Sequence, residues 1–137
     1  MTLKAGCYLL NLENNSIAII YRENRNDYSF PKGHLEENES LEECAIRETA
    51  EEVKRIAEIV SKPYISRYTT PSGEKVENYM YIAIDKGVSD NTSTDTHQFE
   101  WIKIDKVLDI LSYDSLKEDY KKVLPEIEEI INKKSTL

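Results

Sequence analysis

The sequence predicts an α/β domain in which strands lie before and after a central helix. Two β-rich runs come first, an amphipathic helix with a clear start signal follows, and more strands and a second amphipathic helix complete the chain. A length of 137 residues is close to the commonest domain size, and a hydrophobic content of 39% is enough for one core. We therefore expect a single domain over residues 1–137.

The N-terminal part of the chain is predicted to form a β-hairpin. Residues 4–12 and 16–22 are both rich in residues that favour strands. Glu13, Asn14 and Asn15 separate them and have the composition of a tight turn. The polar residues 24–28 after the hairpin are expected to form a loop.

The first helix is predicted to begin at about Ser40. Ser40 and Glu43 have the spacing of a capping box, in which each side chain accepts a hydrogen bond from the backbone N–H of the other residue. Four apolar residues and one threonine recur at helical spacing from that point. They form a stripe that should face the core: Leu41, Ala45, Thr49, Val53 and Ile56.

Acidic residues follow one edge of this stripe. Glu48 and Glu52 are four residues apart, and Glu51 lies one position round the helix. Because like charges at this spacing destabilise a helix by about 0.2–0.5 kcal/mol, we expect a compensating cation. Arg47 is one candidate, and Mg²⁺ is another, since it prefers oxygen ligands and is often shared between carboxylates and substrate phosphates. The alternative is a solvated acidic face, which is common in a chain with 32% charged residues.

Three further strands are predicted after this helix. Residues 57–69 and 75–85 are β-rich and are separated by a segment with the turn formers Pro71 and Gly73. Residues 98–104 alternate between polar and apolar side chains, as a half-buried strand does.

The remaining segments are predicted to be a loop and a helix. Residues 87–97 are polar and are expected to form a mobile loop. Apolar residues at helical spacing near the C-terminus predict an amphipathic helix that covers one face of the sheet: Leu116, Tyr120, Val123, Leu124, Ile127, Ile130 and Ile131. Pro125 is expected to kink or divide that helix.

The composition excludes several classes of protein. A net charge of −8 argues against an extended nucleic-acid surface, which needs a basic stripe to neutralise phosphates. No run approaches the roughly 20 apolar residues of a membrane span, and no signal peptide is recognisable, so the expected location is the cytoplasm. Cys7 and Cys44 are widely separated and are expected to be buried thiols. The composition predicts no particular oligomeric state.

The first helix and the loop before it contain six residues at characteristic offsets: Gly33, Glu39, Arg47, Glu48, Glu51 and Glu52. These residues at these offsets resemble the Nudix box. The resemblance implies an α/β/α sandwich, with a mixed sheet between the box helix and a C-terminal helix. It also implies that Glu48, Glu51 and Glu52 bind Mg²⁺ or Mn²⁺, with the Gly33 carbonyl as a further ligand. Glu39 would support this cluster and Arg47 would orient a carboxylate, while Glu48 could instead be the general base.

The motif departs from the family pattern at its end. Lys54 replaces a glycine, Arg55 replaces an aliphatic residue, and Thr49 replaces another aliphatic residue. Glycine at the first of these positions would turn the chain out of the helix. Because a left-handed conformation costs other residues about 1–2 kcal/mol, we expect the helix to continue past Lys54.

The segments around the box suggest substrate-binding residues. Residues 30–34, Phe-Pro-Lys-Gly-His, resemble a stretch common in Nudix hydrolases of dinucleoside polyphosphates and diphosphoinositol polyphosphates. Lys32 and His34 are therefore candidates to contact substrate. Lys75 and Tyr79 are similar to a strand of diadenosine tetraphosphate hydrolases, in which they would hold a phosphate and a base. Glu100 is a candidate extra ligand or base, and the alternative is a solvent-facing carboxylate.

The resemblance implies a metal-dependent hydrolase that cleaves a diphosphate linkage in a small nucleotide. Our first hypothesis for the substrate is diadenosine tetraphosphate, cleaved asymmetrically. The alternatives are a nucleoside triphosphate pyrophosphohydrolase that cleans the nucleotide pool, an RNA 5′-pyrophosphohydrolase, and a non-catalytic nucleotide-sensing domain. The intact acidic anchors argue against the last alternative.

Overall fold

The computed structural model describes residues 1–135, and these residues form eight strands and three helices. The strands are β1 (Thr2–Asn11), β2 (Ser16–Arg22), β3 (Asp27–Ser29), β4 (Lys32–His34), β5 (Arg55–Ile59), β6 (Tyr64–Thr69), β7 (Lys75–Val88) and β8 (Gln98–Lys103). The helices are α1 (Leu41–Val53), α2 (Val107–Ile110) and α3 (Asp114–Ser135).

The described strands form one mixed sheet. Its main path runs β3-β2-β1-β7-β5, with β4 paired to β1, β6 to β7 and β8 to β2. The β1–β7 pair is parallel and the other pairs are antiparallel. The predicted hairpin of β1 and β2 is present, with Leu10 opposite Ile17.

The two faces of the sheet carry separate cores, because successive side chains of a strand point to opposite faces. On one face, Cys7 and Leu9 of β1 pack with Ala45 of α1. On the other face, Tyr8 of β1 packs with Tyr120 of α3. The arrangement confirms the predicted α/β/α sandwich, and both cysteines are buried and free.

Several predicted boundaries are wrong. Residues 27–29 and 32–34, outside the predicted hairpin, form the short strands β3 and β4. The predicted strand 57–69 is divided into β5 and β6, and the break contains Pro63, which has no N–H for a sheet ladder. Pro125 lies inside α3 and does not divide it.

The end of α1 also differs from the prediction. Lys54 has φ 56° and ψ 39°, so the helix ends at Val53 in the left-handed conformation that a glycine would take. Tertiary contacts offset the strain: the Lys54 carbonyl accepts a hydrogen bond from the Ser89 N–H at 2.9 Å, and its ammonium group donates to the Ser93 carbonyl. Ile56 consequently leaves the helical stripe and lies in β5, where it is 45% exposed.

The replacement of an aliphatic residue by Arg55 has a structural explanation. The Arg55 guanidinium makes two hydrogen bonds to Asp85 of β7, at 2.9 and 2.6 Å. Its Cζ also lies 5.9 Å from the centre of the Trp101 ring. Among the described helices, none is long and apolar enough to cross a membrane.

Candidate functional site

The helix α1 begins where the capping box predicts, and this start fixes the directions of its acidic side chains. The Glu43 N–H donates to Ser40 Oγ at 3.0 Å, and the Ser40 N–H donates to Glu43 Oε1 at 2.9 Å. Both bonds satisfy helix N–H groups that have no partner within the helix.

Arg47 is the centre of an acidic cluster on this helix. Its guanidinium makes a bidentate contact with Glu39, at 2.6 and 3.0 Å. Its Nη1 donates to Glu48 at 2.9 Å and to Glu51 at 3.3 Å, and Nη2 donates to the His34 carbonyl at 2.9 Å. These hydrogen bonds from Arg47 hold the pKa of Glu39 below its ordinary value. Arg47 is therefore a cation that offsets the predicted repulsion between the glutamates.

Gly33 leaves room for the Glu48 carboxylate. A Cβ atom at Gly33 would lie 2.2 to 2.4 Å from the carboxylate carbon and oxygens of Glu48. Contacts this short are forbidden, so a larger residue would displace the carboxylate. The close approach accounts for glycine at this position.

Glu52 lies at the most buried end of the cluster and is 7% exposed. Its Oε1 accepts a hydrogen bond from the Lys32 N–H at 2.8 Å, and its Oε2 lies 3.3 Å from His97 Nε2. Burial and then repulsion from Glu48 raise the pKa of Glu52 to about 8. Burial is likewise the largest cause of the raised pKa of Glu48.

The cluster has the donor chemistry of a divalent metal site. Its carboxylate oxygens suit Mg²⁺ or Mn²⁺, and a cation beside Glu48 and Glu52 would remove the electrostatic cost of their ionised forms. In the described part of the chain, however, no three His, Cys, Asp or Glu side chains are arranged around one metal position. Arg47 bonds to both Glu48 and Glu51 and thus takes oxygens that a metal would share.

A cavity of about 720 Å³ lies on the sheet face opposite α1, next to this cluster. Lys32 links the acidic cluster to the cavity, because its backbone N–H donates to Glu52 Oε1 and the residue also lines the cavity. Four cationic residues line it: Lys4, Arg22, Arg25 and Lys32. Burial, followed by the charges of Lys4 and Arg22, lowers the pKa of Lys32 to about 8. The cavity is thus locally basic in a chain of net charge −8.

Comparison with protein families identifies the fold. The NUDIX domain model matches residues 2–127. The chain belongs to the Nudix family. It is therefore a Nudix hydrolase, an enzyme of the class that acts on phosphoric anhydrides.

Solved structures with this fold include several Nudix proteins. A C. elegans Ap4A hydrolase in a binary complex has a TM-score of 0.75 at 18% identity, over 94% of this chain and 99% of that chain. A NUDIX hydrolase from Nitrosomonas europaea has a TM-score of 0.72 at 18% identity, over 88% of each chain. The mMutator MutT protein from Bacillus halodurans has a TM-score of 0.70 at 20% identity, over 90% of this chain and 82% of that chain. At these identities the likeness establishes the fold of this Nudix hydrolase.

The structure brings the Nudix box residues together, and it leaves the candidates Lys75 and Tyr79 outside the lining of the basic cavity. Lys32 and His34 line the basic cavity. Tyr79 belongs to the opposite face of β7, where it packs with the core beneath α1, and its hydroxyl donates to Glu77. Lys75 lies four residues earlier in the same strand and shares that face, because side chains alternate. Lys75 and Tyr79 therefore do not line this cavity, and their assignment to a phosphate and a base stays a prediction.

Glu100 of this Nudix hydrolase lies on the sheet face away from the box helix α1. Its neighbours Phe99 and Trp101 pack on the α1 side of the sheet, so Glu100 points to the other face and is exposed. It pairs with Ile19 of β2, and its position matches the solvent-facing alternative.

Two contributions to the site were not predicted. His97 contacts Glu52 from the segment that was expected to be a mobile loop. The backbone N–H of His97 donates to the backbone carbonyl of Glu52 at 2.9 Å, in addition to the side-chain contact given above. The cavity takes Arg22 and Tyr68 from separate strands, and Lys32 Nζ lies 5.7 Å from the centre of the Tyr68 ring. The sequence contains no local signal for these contacts, because they join residues distant in the chain.

Proposed function

We propose that this Nudix hydrolase cleaves a diphosphate linkage in a nucleoside polyphosphate, with a divalent metal ion as cofactor. The observation that carries the proposal is the position of the acidic cluster of α1 beside a basic cavity, with Lys32 belonging to both. A polyphosphate needs cations along its length, and a metal ion and the cavity residues would supply them from two directions.

The acidic cluster supports an assignment of roles. We assign Glu48, Glu51, Glu52 and the Gly33 carbonyl to Mg²⁺ or Mn²⁺. Bound metal would polarise a phosphoryl oxygen and lower the pKa of a coordinated water. Glu39 holds Arg47 through two hydrogen bonds, and Arg47 in turn orients the carboxylate of Glu48.

The raised pKa of Glu48 is also compatible with a general base, because such a group must accept a proton near the operating pH. Both roles for Glu48 therefore stay in the proposal. Lys32 and His34 would contact the phosphates from the cavity side. Lys32 acts there as a point charge, and its partial burial strengthens that interaction.

Our preferred substrate is diadenosine tetraphosphate, with asymmetric cleavage. Support comes from the segment 30–34, whose Lys32 and His34 line the cavity. The nearest alternative is a nucleoside triphosphate, and the fold is shared with proteins named for each activity, an Ap4A hydrolase and a MutT protein. The basic residues line a concave cavity, and the net charge of −8 disfavours long RNA.

The organisation of the protein is part of the same proposal. One hydrophobic core lies on each face of a single sheet, and this arrangement supports a single domain over residues 1–137. We also place the protein in the cytoplasm, where nucleotide substrates are found.

A substrate screen tests this function. Diadenosine polyphosphates, canonical and oxidised triphosphates, nucleotide sugars and diphosphoinositol polyphosphates would each be incubated with the protein and Mg²⁺ or Mn²⁺. We expect diadenosine tetraphosphate to be cleaved faster than any single triphosphate and to yield two unequal nucleotides. Preferred cleavage of oxidised dGTP would favour the pool-cleaning alternative, and no metal-dependent turnover of any compound would favour a sensor.

A further inference from the structure

Asn78 is a buried amide at the wall of the basic cavity. It lies in β7, is 4% exposed, and lines the cavity together with Lys4 and Lys32. Its Oδ1 is buried and has no hydrogen-bond partner among the described residues. Since most buried polar side-chain atoms are paired, an unpaired one calls for an explanation.

The fold does not account for an amide at this position. Asn78 shares its sheet face with Val76 and Met80, which are buried apolar residues. Its backbone lies in register with Lys4 of β1 and Ser66 of β6, so the sheet pairing does not need the side chain. An apolar residue of the same size would fill the space without leaving an acceptor unpaired.

The chemistry of the cavity limits what Asn78 could bind. A volume of about 720 Å³ is within the range of small-molecule sites. Phosphate oxygens would be attracted to Arg22 and Lys32. They would not pair with the amide oxygen of Asn78, because a phosphate oxygen and an amide oxygen are both hydrogen-bond acceptors. A group that pairs with Asn78 Oδ1 must therefore carry an N–H or O–H donor.

We propose that Asn78 is a specificity-determining residue that recognises the adenine base of the substrate through its side-chain amide. Adenine presents an amino group beside a ring nitrogen, and an amide pairs with both, because it has an acceptor and a donor side by side. The phosphates of the same nucleotide would then extend towards Lys32 and the acidic cluster. This inference rests on the proposed function, in that it takes the cavity to be the nucleotide site.

The test compares two nucleotides that differ at one group. Binding of adenosine 5′-triphosphate and of purine riboside 5′-triphosphate, which lacks the amino group, would be measured by calorimetry in EDTA, so that no turnover occurs. We expect the wild-type protein to bind the adenosine compound about tenfold more tightly or better, the effect of leaving one buried acceptor unpaired. Equal affinities, or no binding of either compound, would overturn the proposal without any variant.

Two variants test whether Asn78 is the residue that causes the preference for the amino group. Asn78→Leu should bind both nucleotides with similar affinity, because the acceptor for the amino group is gone. Ser66→Ala changes the same cavity wall without removing the amide and should keep the wild-type ratio. If Asn78→Leu keeps the preference for the amino group, another residue recognises the base and the proposal is wrong.

Thermal unfolding distinguishes recognition from a structural role. A void of about 10 Å³ beside Asn78, lined also by Ser29, has roughly the smallest volume that holds a water molecule. If Asn78 only holds such a water, Asn78→Leu should lower the melting temperature and leave the nucleotide ratio unchanged. We expect an unchanged or higher melting temperature, because the variant removes an unpaired polar atom.

The outcome is separable from that of the proposed function. If diadenosine tetraphosphate is not cleaved but the amino-group preference and its loss in Asn78→Leu are observed, the substrate assignment fails and the recognition by Asn78 stands. If diadenosine tetraphosphate is cleaved but wild-type binding ignores the amino group, the function stands and this inference fails.

Discussion

At the scale of single residues, the site depends on two close approaches that involve glycine. Gly33 faces the Glu48 carboxylate, which is a flexible side-chain end, whereas Gly6 of β1 faces the backbone of Pro31 and Lys32. A Cβ at Gly6 would lie 2.1 Å from the Pro31 carbonyl oxygen. The same substitution should therefore affect activity at one position and stability at the other.

We expect Gly33→Ala to reduce kcat by about a hundredfold, because displacing a catalytic group by about 1 Å has effects of this size. Its free energy of unfolding should change by less than about 1 kcal/mol, since the Glu48 carboxylate can move. Gly6→Ala should instead destabilise by about 1–3 kcal/mol, as overpacking against a backbone does. Urea unfolding and turnover of both variants check this, and an equal loss of stability would contradict it.

At the scale of elements, contacts between β2 and β3 position Arg22, one of the cationic residues of the cavity. Arg22 at the end of β2 makes two hydrogen bonds of 2.7 Å to Asp27 at the start of β3, and Tyr113 donates to the same carboxylate at 2.7 Å. Burial alone would raise the pKa of Asp27, but the hydrogen bonds from Arg22 and Tyr113 outweigh it and hold that pKa below its ordinary value of 3.8.

The Asp27 contact predicts a pH-dependent stability. Because the folded-state pKa is lowered, the stabilisation is fully present above the unfolded pKa near 3.8 and is lost as the pH falls through the lower, folded pKa. Asp27→Asn should lower the free energy of unfolding by about 1.5–3 kcal/mol at pH 7, with the difference shrinking in acid. Denaturant unfolding at several pH values measures it, with Asp109→Asn, at an exposed residue of α2, as the control. A difference that does not depend on pH would contradict the assignment.

At the scale of the whole molecule, the acidic cluster links folding to metal binding. Glu48, Glu51 and Glu52 approach one another only when α1 is formed and packed against β4, so a metal that binds this cluster binds the folded state. Such binding stabilises the protein by RT ln(1 + [L]/Kd), which is about 2.7 kcal/mol at a hundred times Kd.

Mg²⁺ should therefore raise the melting temperature of the wild type, and Glu52→Gln should lose most of that shift. The variant should still fold, because glutamine has the size of glutamate and its amide oxygen can accept the hydrogen bond from the Lys32 N–H. Its kcat should fall by at least about a hundredfold. Glu42→Gln, at an exposed position on the same helix, controls for simple charge removal. If the two variants behave alike in turnover and in metal-dependent melting, the acidic helix is a solvated face and the proposed metal site is wrong.

Local rules were sufficient for the parts of the molecule that depend on neighbours in the chain. The capping box at Ser40 predicted the start of α1, and the helical period then placed Glu48 and Glu52 along one edge of it. These features follow from backbone geometry over a few residues, which is the same in any fold. The sandwich itself followed from the resemblance of the box to a known family.

Contacts between distant segments decided the rest, and the sequence by itself could not determine them. Lys54 takes a left-handed conformation against its local preference, because hydrogen bonds with the segment 89–97 offset the strain. The same segment brings His97 to Glu52. Asn78 faces the cavity only because the pairing of β7 with its neighbours sets which side chains point to that face. Register and loop docking involve many weak interactions over long chain separations, so only the tertiary structure specifies them.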